Sequence, residues 1–318
     1  MTKKSLYRQH CLNQADLPVF SQAWWLDAVA GGENWDVCLV EKHGEILASM
    51  PFVTEEKLGF RLITSPLLTH SLGPWLKSNP NRNSTTLAHE KDLMQELIEQ
   101  LPRYDSFQQF WSTSQTNWLP FFWKGFSATP YITYQIPNLK TSPVDLSRFQ
   151  ANARQDIKKA VNRYGLRVRQ DASIDDFIEL NKKTFHRQGL KVPYTDAFVR
   201  NLDDACRVHE ARKIFIAEDA NGIQHAGVYV VWNSHCAYLL MSGGDPALRG
   251  SGATSLCIYE ALQFSATVSD TFDFEGSMVE SIERFFRSFG AEQAIYLSVS
   301  HTPSKRLMAY QLMRKLLT

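Results

Sequence analysis

Thr271-Phe272-Asp273-Phe274-Glu275-Gly276-Ser277-Met278 decides how the chain is read. In an extended strand successive side chains alternate between faces, so Phe272 and Phe274 share one face and Asp273 and Glu275 the other. Helical patterns flank the segment and three strand-like runs precede it, which predicts an interior strand covered on both faces. Carboxylates facing inward in such a strand need partners or a pocket. Glu275 stands at the C-terminal end of the strand, just before a glycine turn, where open α/β sheets place ligands. Partial burial there raises a carboxyl pKa. Glu275 and Asp273 are therefore candidate catalytic carboxylates, either of which could act as a general base or anchor a substrate amine. The alternative is that they bond backbone amides of the next helix.

Downstream, Ser277-x-x-Glu280 has the spacing of a capping box, and the helix predicted over 278–289 ends at Gly290. Ile282, Phe285, Phe286 and Phe289 recur as one apolar stripe. Glu280 with Arg284, and Glu283 with Arg287, lie one turn apart on the opposite side. These arginines fit a solvated, ion-paired face, and Arg287 is also a candidate ligand for a substrate anion.

Upstream lies Ser242-Gly243-Gly244-Asp245-Pro246-Ala247-Leu248-Arg249-Gly250-Ser251-Gly252-Ala253-Thr254, where a strand ends in two glycines and a helix opens from a Gly-rich turn. Exposed amides at a helix N-terminus form an anion site, and glycine lets a phosphate approach the backbone. Gly243, Gly244, Arg249, Gly250 and Gly252 are candidate ligands for a pyrophosphate or another acyl-carrier anion. Further back, Arg148, Arg154, Lys158, Lys159, Arg163, Arg167 and Arg169 face Asp156 alone, a local charge of +6 in a chain of +1. Arg154 and Lys158 are candidate ligands for phosphates of a tRNA, a nucleotide or a lipid pyrophosphate. A merely solvated helix face is the alternative, and no RNA-binding module signature accompanies the stripe.

The second half of the chain predicts helices at 148–164, 174–188 and 195–209, strands at 166–169, 213–218, 226–232 and 237–241, and a helix at 250–266. Strand 271–274, helix 278–289, strand 294–299 and a last helix at 303–317 follow. That order specifies an α/β fold with a mixed, α+β-type sheet rather than a doubly wound parallel one. The first half has a similar order. A helix from Ser21 ends at Gly31-Gly32, and strands 35–40, 46–53 and 60–64 follow, with His43-Gly44 as a turn. A loop at 78–86, a helix at 90–101, strand 107–111, a short aromatic helix at 118–123 and strand 131–136 complete it. The stretch 137–147, with Pro137 and Pro143, predicts the crossing between two lobes.

Composition excludes several classes. At 318 residues the chain has room for about two domains. A net charge of +1 provides no global field for nucleic acid or membrane, and DNA is not an expected partner. No run approaches the ~18 apolar residues of a membrane span, and the basic start leads into no apolar signal region. Cys11, Cys38, Cys206, Cys236 and Cys257 form no ligand cluster and fit buried thiols in a reducing cytoplasm. No metal is expected. Neither a Gly-x-Ser-x-Gly elbow nor a P-loop occurs.

Asn152-Ala153-Arg154-Gln155-Asp156-Ile157-Lys158-Lys159-Ala160 followed by Gly165-Leu166-Arg167-Val168 resembles an element of FemAB-like proteins. Tyr238 to Gly244, the Gly252-Ala253 helix start, and Phe272 to Gly276 with Phe285 and Phe289-Gly290 fit the same family in order. The resemblance covers about 148–300. It implies two lobes of the GNAT (acyl-CoA N-acyltransferase) fold with a cleft between them, a degenerate one over 1–140 and an acyltransferase lobe over 141–318. It also implies transfer of an acyl group to an amine, from an aminoacyl-tRNA or an acyl-CoA. In the second case the pyrophosphate maps to Arg249, Gly250 and Gly252. Thr254 departs from the usual last loop position, and Phe286 stands where many FemAB members carry lysine. The expected acceptor is an amino group on a cell-envelope glycan or peptidoglycan-type precursor, such as a nucleotide- or lipid-linked sugar, with peripheral membrane contact. An acetyl-CoA-dependent N-acetyltransferase of a small amine or amino sugar, and a non-catalytic glycan- or RNA-binding protein, are the alternatives.

Overall fold

The structure, a computed structural model, describes residues 2–14, 17–77, 84–142, 144–170, 172–276 and 278–317. Two compact units divide the chain, one made of Met1–Tyr131 with Ile295–Thr318, the other of Ile132–Ala294. The boundary thus falls inside a strand rather than in the stretch 137–147, and the last two dozen residues return to the first unit. Pro143 and the predicted loop residues 78–83 lie outside the described residues.

In the first unit, α1 (Lys3–Asn13) is capped by Thr2, whose hydroxyl accepts the Ser5 N–H at 3.1 Å. The sequence reading had no helix there. Next, α2 (Ala23–Ala30) ends at Gly31 as expected, but its N-cap is Gln22 rather than Ser21. Strands β1 (Trp35–Lys42), β2 (Glu45–Lys57) and β3 (Phe60–Thr64) form an antiparallel meander. His43 and Gly44 both have positive φ, as a two-residue hairpin turn requires. Short β4 (Trp75–Leu76) pairs with β2, and α3 (Ser84–Glu99) buries Leu93, Met94 and Leu97 beneath the sheet. Then β5 (Ser106–Phe110) lies parallel to β3, and α4 (Leu119–Trp123) precedes β6 (Ser127–Ile136). Trp111, Phe107, Phe121 and Phe126 fill this core edge to face.

In the second unit, α5 (Ala151–Asn162) and β7 (Arg167–Arg169) lead to α6 (Ile174–Arg187) and α7 (Asp196–Val208). Strands β8 (Arg212–Glu218), β9 (Gln224–Trp232) and β10 (Cys236–Gly244) are successive antiparallel neighbours. After a 3-10 turn at Pro246–Ser251 come α8 (Ala253–Val268) and β11 (Thr271–Asp273), which runs parallel to β10 and antiparallel to the end of β6. The sheet is mixed and β11 is interior, as the sequence predicts. Its inner face carries Tyr134, Ile136, Leu239, Phe272 and Phe274 against α5, α8 and Phe289. Burying each of these large side chains contributes about 1.5–3 kcal/mol.

The helix after β11 corrects one expectation. α9 (Glu280–Arg287) starts after an N-cap at Val279, and Ser277, the expected cap, lies outside the described residues. The chain continues through β12 (Glu292–His301), which pairs with β5 in the first unit, into α10 (Lys305–Leu317).

Candidate functional site

The strand end at residue 275 is built by Asp273. Its side chain is buried and accepts three hydrogen bonds: from the Thr133 hydroxyl, from Gln135 Nε2 at 2.7 Å, and from the Glu275 N–H at 2.7 Å. The last of these bends the chain so that Glu275 takes a left-handed φ of 60°, which costs a non-glycine residue about 1–2 kcal/mol. Gly276 follows at φ 63°, and a Cβ there would lie 2.4 Å from the Ile132 carbonyl oxygen, so only glycine fits. Asp273 therefore acts on structure, with both oxygens engaged.

Glu275 differs. Its Oε1 is inaccessible and has no hydrogen-bond partner. Burial, and secondarily the neighbouring Asp273 charge, raises its pKa well above the ordinary 4.5. Such an oxygen is costly to bury and marks a group awaiting a partner. Cys236 and Tyr238 stand on the same side of β10, with Tyr238 in register with Asp273. Burial raises both their pKa values well above normal, so Cys236 is a neutral thiol rather than a nucleophile.

Beyond Tyr238 the two parallel strands part. The β10–β11 ladder covers only 236–238 against 271–273, while β10 continues against β9 to Gly244. Phe274 N–H instead donates to Tyr134 O of β6. On this side, Leu240 to Gly244 therefore have no strand partner among the described residues. A bulge at Leu240 shifts the β9 register here, a device that re-aims backbone groups. Two side chains of α6 take part of the exposed edge: Asn181 Nδ2 donates to Ser242 O at 2.8 Å, and Gly244 N–H donates to Thr184 Oγ1 at 3.0 Å.

Where β10 ends, at Ser242 to Gly244, a cavity of about 130 Å³ opens beside the N-terminus of α8. Gly243, Gly244 and Arg249 line it, together with Arg187, His225 and Thr254. The Nδ1 of His225 is buried without a hydrogen-bond partner. Helix α8 has no side-chain cap, so its first-turn amides keep their partial positive charge. Asp245, the acid on the rim, is held below the usual carboxylate range by Lys183 at 2.7 Å and by the Ala247 N–H. A buried orphan nitrogen, two guanidinium groups and a helix N-terminus suit an anion of phosphate or pyrophosphate size. Glu275 does not line this cavity.

Gly250 and Gly252 correct the expected cradle, because neither lines the cavity. Gly252 is glycine because its φ is 80° and because a Cβ would sit 2.2 Å from the Asp156 carbonyl oxygen of α5, while Gly250 faces open space. The basic stripe is also partly engaged within the unit. Arg154 donates to Phe149 O at 2.9 Å, Lys159 pairs with Asp156, and Arg169 pairs with Asp176 and Glu218. Lys158 is exposed. Arg287 pairs with Glu283 at 2.7 Å, and Glu283 also accepts the Tyr134 hydroxyl at 2.6 Å, which makes an ion-paired face of α9. All five cysteines are free, and among the described residues no group of three His, Cys, Asp or Glu side chains could hold a metal.

Sequence reasoning missed His225, Arg187, Thr133 and Gln135. His225 opens β9 rather than the Gly-rich loop, and Thr133 and Gln135 face Asp273 through a strand far away in sequence. For Thr133 and Gln135 the only sequence signal is polar alternation in an otherwise apolar strand.

Residues 147–287 match the family described as acetyltransferase (GNAT) domain. No curated protein matches the chain in sequence. Among solved structures the chain is similar to FemX at 13% identity, with 98% of each chain covered and a TM-score of 0.70. L-PGS from Bacillus licheniformis aligns at 10% identity over 99% of this chain and 96% of that one, with a TM-score of 0.55. A tandem GNAT protein from the clavulanic acid biosynthesis pathway aligns at 11% identity over 87% and 93%, with a TM-score of 0.50. The second unit thus carries a GNAT domain, and the fold is that of FemAB-like GNAT acyltransferases. β10, its bulge and the start of α8 are the parts of that domain that bear the anion cavity and the parted strands.

Proposed function

We propose that the chain is an acyl- or aminoacyltransferase that forms an amide on an amino group of a cell-envelope glycan or peptide precursor. The carrying observation is the buried, unpartnered Glu275 oxygen where β10 and β11 part. The acceptor nitrogen attacks the ester or thioester carbonyl carbon of the donor, and the nitrogen's proton passes to Glu275 directly or through one water. The C–O or C–S bond then breaks, and the leaving group takes up a proton. Backbone N–H groups of the unpaired Leu240–Met241 edge stabilise the oxyanion, since the Gly244 amide is already taken by Thr184. Positioning of two substrates supplies much of the rest.

Similarity to FemX and L-PGS favours an aminoacyl donor and an envelope acceptor. One observation favours a second reading, acetyl-CoA-dependent acetylation of a small amine or amino sugar: the anion cavity at the α8 N-terminus has the dimensions and chemistry for a donor pyrophosphate. Melting the protein with acetyl-CoA, with aminoacyl-tRNA and with nucleotide sugars separates these readings, because only a true ligand raises the transition in proportion to its occupancy. Turnover of Glu275→Gln with the stabilising donor tests the base. A loss below about tenfold removes Glu275 from that role.

A further inference from the structure

We propose that the outer face of α10, in the first unit, docks on a bilayer surface rich in anionic phospholipid. A surface helix of a soluble protein normally turns its apolar stripe inward. Here the arrangement is reversed. Leu307 is the buried residue, 5% exposed, whereas Leu312 and Leu316 are 61% and 78% exposed, and Met308 and Met313 are exposed beside them. Met308, Leu312 and Leu316 are successive i, i+4 neighbours and share one side with Ala309 and Met313. A contiguous apolar face of this kind marks an interaction surface.

Charge selects the occupant. α10 contributes Lys305, Arg306, Arg314 and Lys315 and no acid. Lys305, Arg306 and Lys315 flank the apolar side of the helix, whereas Leu307, Tyr310, Gln311 and Arg314 lie on its other side and line an open groove of about 490 Å³ against Phe60 and Leu62. Cations flanking an exposed apolar face match anionic headgroups around an inserted side. A second copy would set like charges against each other, four cations per helix. A cationic helix with an exposed apolar face lies in the membrane interface plane, held by buried area and by headgroup charge together. Among the described residues no helix is long and apolar enough to cross a membrane, so the contact is peripheral.

Co-sedimentation of the full chain with vesicles tests this. Phosphatidylcholine alone is compared with an equimolar mixture of phosphatidylcholine and phosphatidylglycerol. The anionic vesicles should bind at least about tenfold more protein, and binding should fall as salt rises. Leu312→Glu with Leu316→Glu should weaken that binding by about tenfold or more, because it removes inserted area and adds repulsion. Both positions are exposed, so the melting transition should not move, and Lys305→Gln with Lys315→Gln provides a second, charge-only variant. Equal binding to both vesicles, or binding untouched by either pair, overturns the proposal. A concentration-dependent dimer that Leu312→Glu abolishes, with no vesicle binding, also overturns it and assigns the face to a second copy.

Discussion

The carboxylate of Asp273 accepts the backbone N–H of Glu275, two residues further on, at 2.7 Å. One contact thereby does two things: it fixes the left-handed backbone that turns Glu275 out of the strand, and it sets a negative charge beside the Glu275 carboxyl. One neighbour thus sets the geometry of the proposed proton acceptor and adds to the basicity that burial chiefly sets.

Glu275→Gln should lower kcat by about 100-fold or more, the usual contribution of a general base. In the unmodified protein kcat/KM should rise with pH as the raised carboxyl ionises. Stability should move the other way. The folded state holds this proton more tightly than the unfolded chain, whose carboxyl titrates near 4.5. Folding therefore loses free energy as pH climbs above that value, until the raised folded-state pKa is passed. The Gln variant escapes the loss, so its melting temperature should exceed that of the parent by about 2–4 °C for each kcal/mol regained near pH 8. A variant that is inactive and equally stable at every pH would contradict the burial argument.

Asp273→Asn removes the charge from a buried acceptor of three hydrogen bonds and makes Gln135 or Thr133 give up its donor role. About 1–3 kcal/mol of stability should be lost. Denaturant titration measures it.

Gly252→Ala and Gly250→Ala form a matched pair. The first places a methyl 2.2 Å from the Asp156 carbonyl oxygen in a left-handed backbone, while the second enters open space. The melting temperature should fall steeply in Gly252→Ala, by the equivalent of about 2 kcal/mol or more, and stay within error in Gly250→Ala. Similar behaviour of the two variants would refute the packing role of Gly252.

His225→Phe replaces the imidazole with a somewhat larger apolar ring and removes the orphan Nδ1. Affinity for pyrophosphate or a CoA-type ligand, read by calorimetry, should drop by about tenfold, the loss of one hydrogen bond to a charged group. Arg249→Ala should cause a smaller loss that disappears at high salt, because that side chain is exposed. Unchanged affinity in His225→Phe would remove the cavity from the donor site.

Much of this fold is legible in the chain. The alternation in Thr271 to Glu275, the glycines closing α2 and the period of Leu93, Met94 and Leu97 are local signals, and each element formed where its signal lies. Helix α1 carries little amphipathic pattern and is held by a cap and by tertiary contacts such as the Arg8–Asp27 pair at 2.6 Å, so its periodicity is faint. The carboxylate at 275 could be read because its position in a strand is a local fact. Two of the three partners of Asp273 could not be, since Thr133 and Gln135 are about 140 residues away in sequence. Gly252 misled for a related reason. A glycine excused by a neighbouring carbonyl and one excused by a phosphate look alike until the neighbour is in place.

The order of synthesis follows from the boundary at Tyr131 and Ile295. The second unit is one uninterrupted stretch, complete once residue 294 has left the ribosome, whereas the first waits for Ser298 to His301 to pair with Phe107 to Phe110. The N-terminal part, Met1–Tyr131, is thus born early but finished last. During that interval the open edge of β5 is a strand without its mate, the kind of surface that chaperones attend.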